Sequence, residues 1–226
     1  MSIKDAGAGR KMSCGREEYL MPTGLCDFDR CPDIRARAEE ITSGCRRPGQ
    51  KFQRLFFAVK ELPYGLEDWD VRASETLRKG WGMCSGKTNL LVAMLRSIGV
   101  PARYRISRII AEAGLWGRVT MDRELLERMG PAPVQQDHVD CEVWLEDWKQ
   151  CDPSRDTPLE RGLLALGIPL ERVTVPHAPY LYLASFDEWA RERQNRRAFR
   201  ENRETTFARA NRQLRDIRAL ARKPDG

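Results

Sequence analysis

The chain has 226 residues, of which 41% are hydrophobic and 32% charged, and its formal net charge is +6. This length and apolar content suffice for one ordinary domain with a substantial core. No apolar run approaches the roughly 20 residues of a membrane-spanning helix, and the first residues lack the apolar stretch of a secretory signal. We therefore expect a cytoplasmic protein with no membrane partner.

Cysteine usage indicates reduced thiols. Seven cysteines is an odd number in a chain with no recognisable export signal, so a complete disulfide framework is not expected. Four of them precede residue 46 with no CxxC spacing and no nearby histidine, which leaves zinc as a weak alternative. These four are Cys14, Cys26, Cys31 and Cys45.

Helical spacing of apolar residues predicts several helices before residue 100. The first begins at Pro32 and ends at Gly44, and a second follows in "KFQRLFFAVKEL". The stretch "RASETLRKG" predicts a short helix that ends at Gly80. Residues 84–98 predict a further helix with a wide apolar face, ended by Gly99.

Alternating residues predict strands in the second half. "ARYRISRII" is one strand, and "DHVDCEVWLE" and "WKQCD" form a hairpin over residues 137–152. In this hairpin His138 lies on the polar face, while Cys141 and Cys151 face the core. Residues 111–136 are irregular, with a short helix in "DRELLERMG", and such an excursion often covers a site. "DTPLERGLLALG" predicts a helix capped by Asp156 or Thr157.

Basic charge is concentrated near the C-terminus. Residues 186–226 carry twelve Lys/Arg against seven Asp/Glu, whereas the rest of the chain is nearly neutral. A predicted tail helix carries an apolar stripe at steps of three and four: Phe207, Ala210, Leu214, Ile217 and Ala221. The stripe is compatible with packing on the body of the domain or on a second copy in a homo-oligomer. Interleaved Arg and Glu favour a solvated face over nucleic-acid binding.

One thiol lies in a setting suited to nucleophilic chemistry. Cys84 follows "GWGM" at the start of a helix, where unsatisfied N–H groups and a partial positive charge favour a thiolate and can bind an oxyanion. Gly82 and Gly86 are expected to leave room for a substrate. A purely packing role for Cys84 is the alternative.

A thiol nucleophile needs a base, and the chain has only two histidines. His138 is favoured because acidic side chains share its strand face, whereas His177 lies between prolines in a loop. Asp152 ends the next strand, where a hairpin can bring it to His138 to orient the imidazole. Asp137 and Asp140 are rivals, and a turn role before Pro153 is the alternative for Asp152.

Three blocks in this order resemble the transglutaminase-like superfamily, a branch of the papain-like cysteine enzymes. "ASETLRKGWGMCSGKTNLLVAMLRSIGVPARYR" is similar to its cysteine helix, "DHVDCEVWL" to its histidine strand, and "WKQCDPS" to its strand ending in Asp-Pro. The similarity covers roughly residues 19–155. It implies an α+β fold in which N-terminal helices, including the nucleophile helix, pack on an antiparallel sheet, here followed by a charged C-terminal helix.

The resemblance also implies a Cys84, His138 and Asp152 triad that performs acyl transfer through an acyl-thioenzyme, with no metal or organic cofactor. The family's second oxyanion donor has three candidates here, Tyr64, Trp69 and Trp81.

We therefore divide the chain into a flexible N-terminus (1–15), a catalytic domain (16–185) and a basic helical appendage (186–226). The favoured function is hydrolysis of a peptide or amide bond. The alternative within this chemistry is an acyltransferase or transglutaminase acting on a small molecule or protein. The rivals of a different class are a non-catalytic interaction module and nucleic-acid binding through residues 186–226.

Overall fold

The computed structural model of the chain describes residues 15–111, 134–195 and 203–221. The predicted flexible N-terminus (1–15) lies outside the described residues except for Gly15, and the helix predicted in "DRELLERMG" lies wholly outside them. Most of residues 111–136, which we expect to cover the site, also lie outside them. Within the described ranges no helix is both long and apolar enough to cross a bilayer.

From residue 15 onward, four helices precede the sheet, after a 3₁₀ turn over Glu17–Leu20. They are α1 (Pro32–Ile41), α2 (Pro48–Lys60), α3 (Ala73–Lys79) and α4 (Cys84–Ser97). Proline at the first position begins α1 and α2, where its missing N–H costs nothing. Gly80 ends α3 in the left-handed conformation, with φ 70°, as its position in the sequence predicts. Every residue of α4 is buried, so this helix lies at the centre of the domain.

The sheet is antiparallel and curls around α4. Its strands are β1 (Ala102–Ala111), β2 (Val134–Trp144), β3 (Trp148–Cys151), β4 (Val173–Thr174) and β5 (Leu181–Leu183). The order is β3-β2-β1-β4, and β5 also pairs with β1. The predicted strands and hairpin are confirmed, although β2 begins three residues earlier than expected because it pairs with the full length of β1. The two- and three-residue strands β4 and β5 were not predicted, since so few residues carry no readable alternation.

The two faces of β2 differ as the alternation predicts. Val139, Cys141 and Val143 are fully buried in the main core, which β2 forms with α4. Cys151 lies directly opposite Cys141 across the ladder, with 3.3 Å between the two sulfur atoms, so both thiols belong to the core. The opposite face presents His138. The predicted α+β fold, with the Cys84 helix packed on an antiparallel sheet, is confirmed.

Among the described residues, three helices follow the central hairpin: α5 (Thr157–Ala165), α6 (Asp187–Gln194) and α7 (Arg203–Leu220). Asp156, rather than Thr157, caps α5 by accepting a hydrogen bond from the N–H of Leu159. The charged C-terminal helix predicted from the sequence is present as α7, and a further charged helix, α6, lies before it in the chain.

The apolar stripe of α7 packs on the body of the domain. Leu214 and Ile217 share a small core with Leu159 and Leu163 of α5. A side chain at Gly162 would clash with the backbone of Ile217, so the two helices are in close contact. A homo-oligomer formed through this helix stays a prediction.

Polar contacts hold α7 to the segment before α3. Arg218 makes a bidentate ion pair with the buried Asp156, at 2.9 and 2.6 Å, and donates to the carbonyl of Tyr64 at 2.6 Å. Asn211 bonds both the N–H and the carbonyl of Leu66. The C-terminal helix is therefore fixed to residues 64–66.

Candidate active site

The hairpin brings His138 and Asp152 together. Nε2 of His138 lies 3.0 Å from Oδ2 of Asp152, and the histidine side chain is only 7% exposed. Because a carboxylate only accepts hydrogen bonds, Nε2 carries the proton and donates it. This leaves Nδ1 as the ring nitrogen available for another partner.

Charge dominates the protonation of this pair. Burial alone would lower the pKa of His138, but the charge and hydrogen bond of Asp152, together with the nearby Cys84, raise it to about 9. Burial would likewise raise the pKa of Asp152, yet His138, Arg172 and Ser154 hold it well below its ordinary value. We conclude that imidazolium and carboxylate form an ion pair at neutral pH.

Cys84 belongs to the same group of residues. It is among the groups that raise the pKa of His138, so the thiol lies close to the imidazole. Cys84 is the first residue of α4 and is 5% exposed, so its sulfur lies beside the N–H groups of the first helical turn. The three side chains named from the sequence thus meet at one place in the fold.

Glu67 fixes the turn that precedes Cys84. Its side chain, which is ion-paired with Lys79, accepts a hydrogen bond from the N–H of Met83 at 2.9 Å. A Cβ on Gly86 would lie 2.5 Å from the Glu67 carboxylate, and one on Gly82 would lie 3.1 Å from it. Our expectation that these glycines leave room for a substrate is wrong, because the space over them holds Glu67.

Lys87 ties the nucleophile helix to its surroundings one turn after Cys84. Its side chain is fully buried, and its three ammonium hydrogens match three backbone carbonyls at 2.6 to 2.9 Å. These carbonyls belong to Lys60, Leu62 and Ser154. Since Ser154 follows Asp152 by two residues, Lys87 links the helix of Cys84 to the loop of Asp152.

The structure separates the three candidates for the second oxyanion donor. Burial and the charges of Cys84 and Asp152 raise the pKa of Tyr64, which keeps its hydroxyl protonated and able to donate. Trp69 packs edge-on against Trp189, and Trp81 lies under the ammonium of Lys79 at 4.5 Å. Tyr64 is therefore the candidate that is electrostatically coupled to Cys84.

The rival carboxylates are engaged elsewhere. Asp140 makes a bidentate ion pair with Arg105, its neighbour across the ladder, at 2.8 and 2.5 Å. Asp137 is paired with Arg193 at 2.6 Å. His177 is exposed in a loop, where its φ of 61° is left-handed. Among the described residues, Asp152 is thus the carboxylate that contacts a nitrogen of His138.

Two residues of the site were not predicted. Arg172 donates to Asp152 through Nη1 and to the hydroxyl of Ser154 at 2.7 Å, while Ser154 also donates to the other Asp152 oxygen at 2.6 Å. Ser154 follows the Asp-Pro pair, where a short side chain commonly closes a turn, so its role was readable. Arg172 lies in a stretch with no periodicity, and nothing in the sequence indicates its partner.

One cluster in the described part of the chain has metal-ligating groups. Ligand atoms of His138, Asp140 and Asp152 lie within 4.8 Å of one another. Both carboxylates are already paired with guanidinium groups, Asp140 with Arg105 and Asp152 with Arg172. A cation would have to replace these pairs, so the donor set fits a metal poorly.

The architecture and this cluster define a papain-like domain, with a cysteine helix on an antiparallel sheet that carries histidine and aspartate. The family model of the transglutaminase-like superfamily matches residues 35–153, just over half of the chain. The chain therefore belongs to the transglutaminase-like superfamily, as its motifs predicted.

Similarity outside the family model is low. No curated protein matches the sequence. A solved chain from Cytophaga hutchinsonii, described as a candidate cysteine protease, superposes with a TM-score of 0.48 and 14% identity. The alignment covers 77% of this chain and 53% of that one, so it spans about half of the Cytophaga chain. Similarity at this level carries no information on activity.

Proposed function

We propose that the protein is a cysteine-dependent acyl-transfer enzyme that hydrolyses a peptide or amide bond. Cys84 is the nucleophile, His138 the acid and base, and Asp152 the group that orients His138. The observation that carries the proposal is the hydrogen-bonded pair of His138 and Asp152, with Cys84 close enough to raise the pKa of His138. Membership in the transglutaminase-like superfamily supports the same chemistry.

The reaction follows from the charges at the site. The Cys84 thiolate attacks the carbonyl carbon and forms a C–S bond, while the negative charge moves to the carbonyl oxygen. Collapse of this intermediate breaks the C–N bond, and the His138 imidazolium gives its proton to the departing amine. Water then attacks the thioester as His138 takes a proton from it. Collapse of the second intermediate breaks the C–S bond, which releases the carboxylic acid and restores the Cys84 thiolate beside the His138 imidazolium.

Two kinds of donor are available for the oxyanion. The first-turn N–H groups of α4 have no partner within the helix and carry its positive dipole end. The hydroxyl of Tyr64 is the second. An amine in place of water would make the same site an acyltransferase or transglutaminase.

The test is labelling and turnover after Cys84→Ala. We expect wild-type protein to form one iodoacetamide adduct, at Cys84, near pH 6.5. An ordinary cysteine is mostly protonated at about this pH and reacts slowly. The Cys84→Ala variant should lose this adduct and any amidase activity on a peptide mixture, while Cys31→Ala, which changes a half-buried thiol, should keep both. If Cys84 reacts no faster than Cys31, the nucleophile assignment is wrong, and a non-catalytic module becomes the better hypothesis.

Addition of an amine separates hydrolysis from transfer. A primary amine that is incorporated into the product in place of water would identify transfer as the second candidate function. We expect release of free acid to dominate. Intact-mass detection of the acyl adduct on Cys84 would identify the acyl group.

A further inference from the structure

A polar cavity of about 400 Å³ lies against the His138 and Asp152 pair. Its volume is within the range of small-ligand pockets. The cavity is unusual in its charge, because three guanidinium groups line it: Arg105, Arg155 and Arg172. Hydroxyl groups complete the polar wall, from Ser107, Thr174 and Tyr180.

Two of the three arginines are neutralised and the third is not. Arg105 is paired with Asp140, and Arg172 with Asp152. Arg155 donates to the backbone carbonyl of Leu170, and its Nε is buried with no hydrogen-bond partner among the described residues. Within the described part of the chain, the charge of this guanidinium is therefore not matched by a carboxylate in contact with it.

The surroundings of Arg155 leave its charge poorly compensated. Burial and the neighbouring charge of Arg172 lower its pKa, so the site favours an added negative charge. Asp152 and Glu160 also act on Arg155, but Asp152 is paired with Arg172, and Glu160 with Lys60 at 2.8 Å. With the His138 imidazolium, the cationic groups at the cavity outnumber its two carboxylates.

We propose that this cavity is an anion-binding site for a carboxylate or phosphate group, with Arg155 as its principal contact. The guanidinium of Arg155 lines the cavity and can give charge-assisted hydrogen bonds to such a group. The carboxylates of Asp140 and Asp152 do not exclude the anion, because each already faces its own arginine. The anion reaches the site either as part of a substrate or as a free ion.

The test uses the two histidines as NMR reporters during titration with inorganic phosphate at constant ionic strength, with chloride as the balancing anion. His138 lines the cavity, whereas the exposed His177 does not and serves as the internal control. We expect the ring signals of His138 to shift and saturate with phosphate. The absence of a saturable shift at His138 would overturn the proposal.

Variants then assign the contact. Arg155→Gln should weaken phosphate binding about tenfold or more, since it removes charge-assisted hydrogen bonds. Arg161→Gln changes an exposed arginine of α5 and should respond like wild type. If Arg155→Gln does not fold, Arg155→Lys keeps the charge without the fork and should still bind phosphate more weakly than wild type. Unchanged affinity in a folded Arg155 variant would contradict the proposal.

Alkylation of Cys84 distinguishes the two sources of the anion. Phosphate that slows the reaction of Cys84 with iodoacetate, but not with iodoacetamide, supports an anionic group on the substrate. Saturable binding at His138 without this protection supports a site for a free anion. The NMR titration needs no turnover, so the two proposals can fail separately. Absence of phosphate binding would not contradict the proposed function, and an unreactive Cys84 would not contradict the anion site.

Discussion

Replacement of Asp152 by asparagine should lower the pKa of His138, because it removes the charge that opposes the effect of burial. The two side chains are 3.0 Å apart, and asparagine can still accept the hydrogen bond from Nε2. Asp152 raises the pKa of His138 from its ordinary 6.5 to about 9 although burial opposes it. That rise corresponds to about 3 kcal/mol of preference for the charged ring. Without the carboxylate, burial and Arg172 both act to lower the pKa, so we expect His138 to titrate below 6.5.

The stability of the variant should depend on pH with a definite sign. A raised folded-state pKa stabilises the wild type fully below the unfolded value near 6.5, and this contribution is lost as pH rises through about 9. Asp152→Asn removes it. The destabilisation measured by urea unfolding should therefore be about 3 kcal/mol larger near pH 6 than near pH 10.

NMR titration of the two histidines measures the pKa directly. Asp147→Asn changes an exposed carboxylate in the turn between β2 and β3, and it should leave both the titration and its pH dependence unchanged. A His138 pKa that stays above about 8 in Asp152→Asn would refute the electrostatic account.

Three further outcomes are expected. Under the proposed mechanism, kcat/KM should fall as pH rises through about 9, because His138 loses the proton that the leaving amine requires; an unchanged rate well above this pH would contradict that role. Lys87→Met should lower the free energy of unfolding in urea by roughly 3 kcal/mol or more, because three backbone carbonyls lose their donor. A loss below about 1 kcal/mol would show that these carbonyls find other donors. Arg218→Met should lower the free energy of unfolding by about 3–5 kcal/mol, because it leaves the Asp156 carboxylate buried and unpaired. Arg215→Met changes an exposed residue of the same helix and should have little effect. Equal losses in the two variants would reject the ion-pair argument.

The sequence predicted the helices and strands in which apolar residues recur at regular spacing. The alternation of β2 predicted which of its residues face the core, and the hairpin placed Asp152 near His138. The apolar spacing of α4 predicted the helix but not the burial of all its residues. The pairing of these two residues needs only local chain geometry, because 14 positions separate them along one hairpin. Residues placed by local geometry were within reach of sequence reasoning.

The remaining features depend on partners distant in the chain. Lys87 reads as an ordinary polar residue in "SGKTN", and only the packed fold supplies the three carbonyls that accept its bonds. Gly82 and Gly86 suggested open space because a glycine has no side chain, but the sequence does not say that Glu67 fills that space. Arg172 reaches Asp152 from an aperiodic stretch 20 residues away.

The hydrogen bonds between α7 and residues 64–66 link a helix outside the matched family region to residues inside it. The matched region ends at residue 153, yet Arg218 and Asn211 hold the backbone of Tyr64 and Leu66. That backbone in turn pairs with Gly82, two residues before Cys84. The support of the turn before Cys84 therefore includes residues of α7, outside the matched region. We expect truncation after residue 153 to remove these bonds and to loosen the turn that holds Cys84.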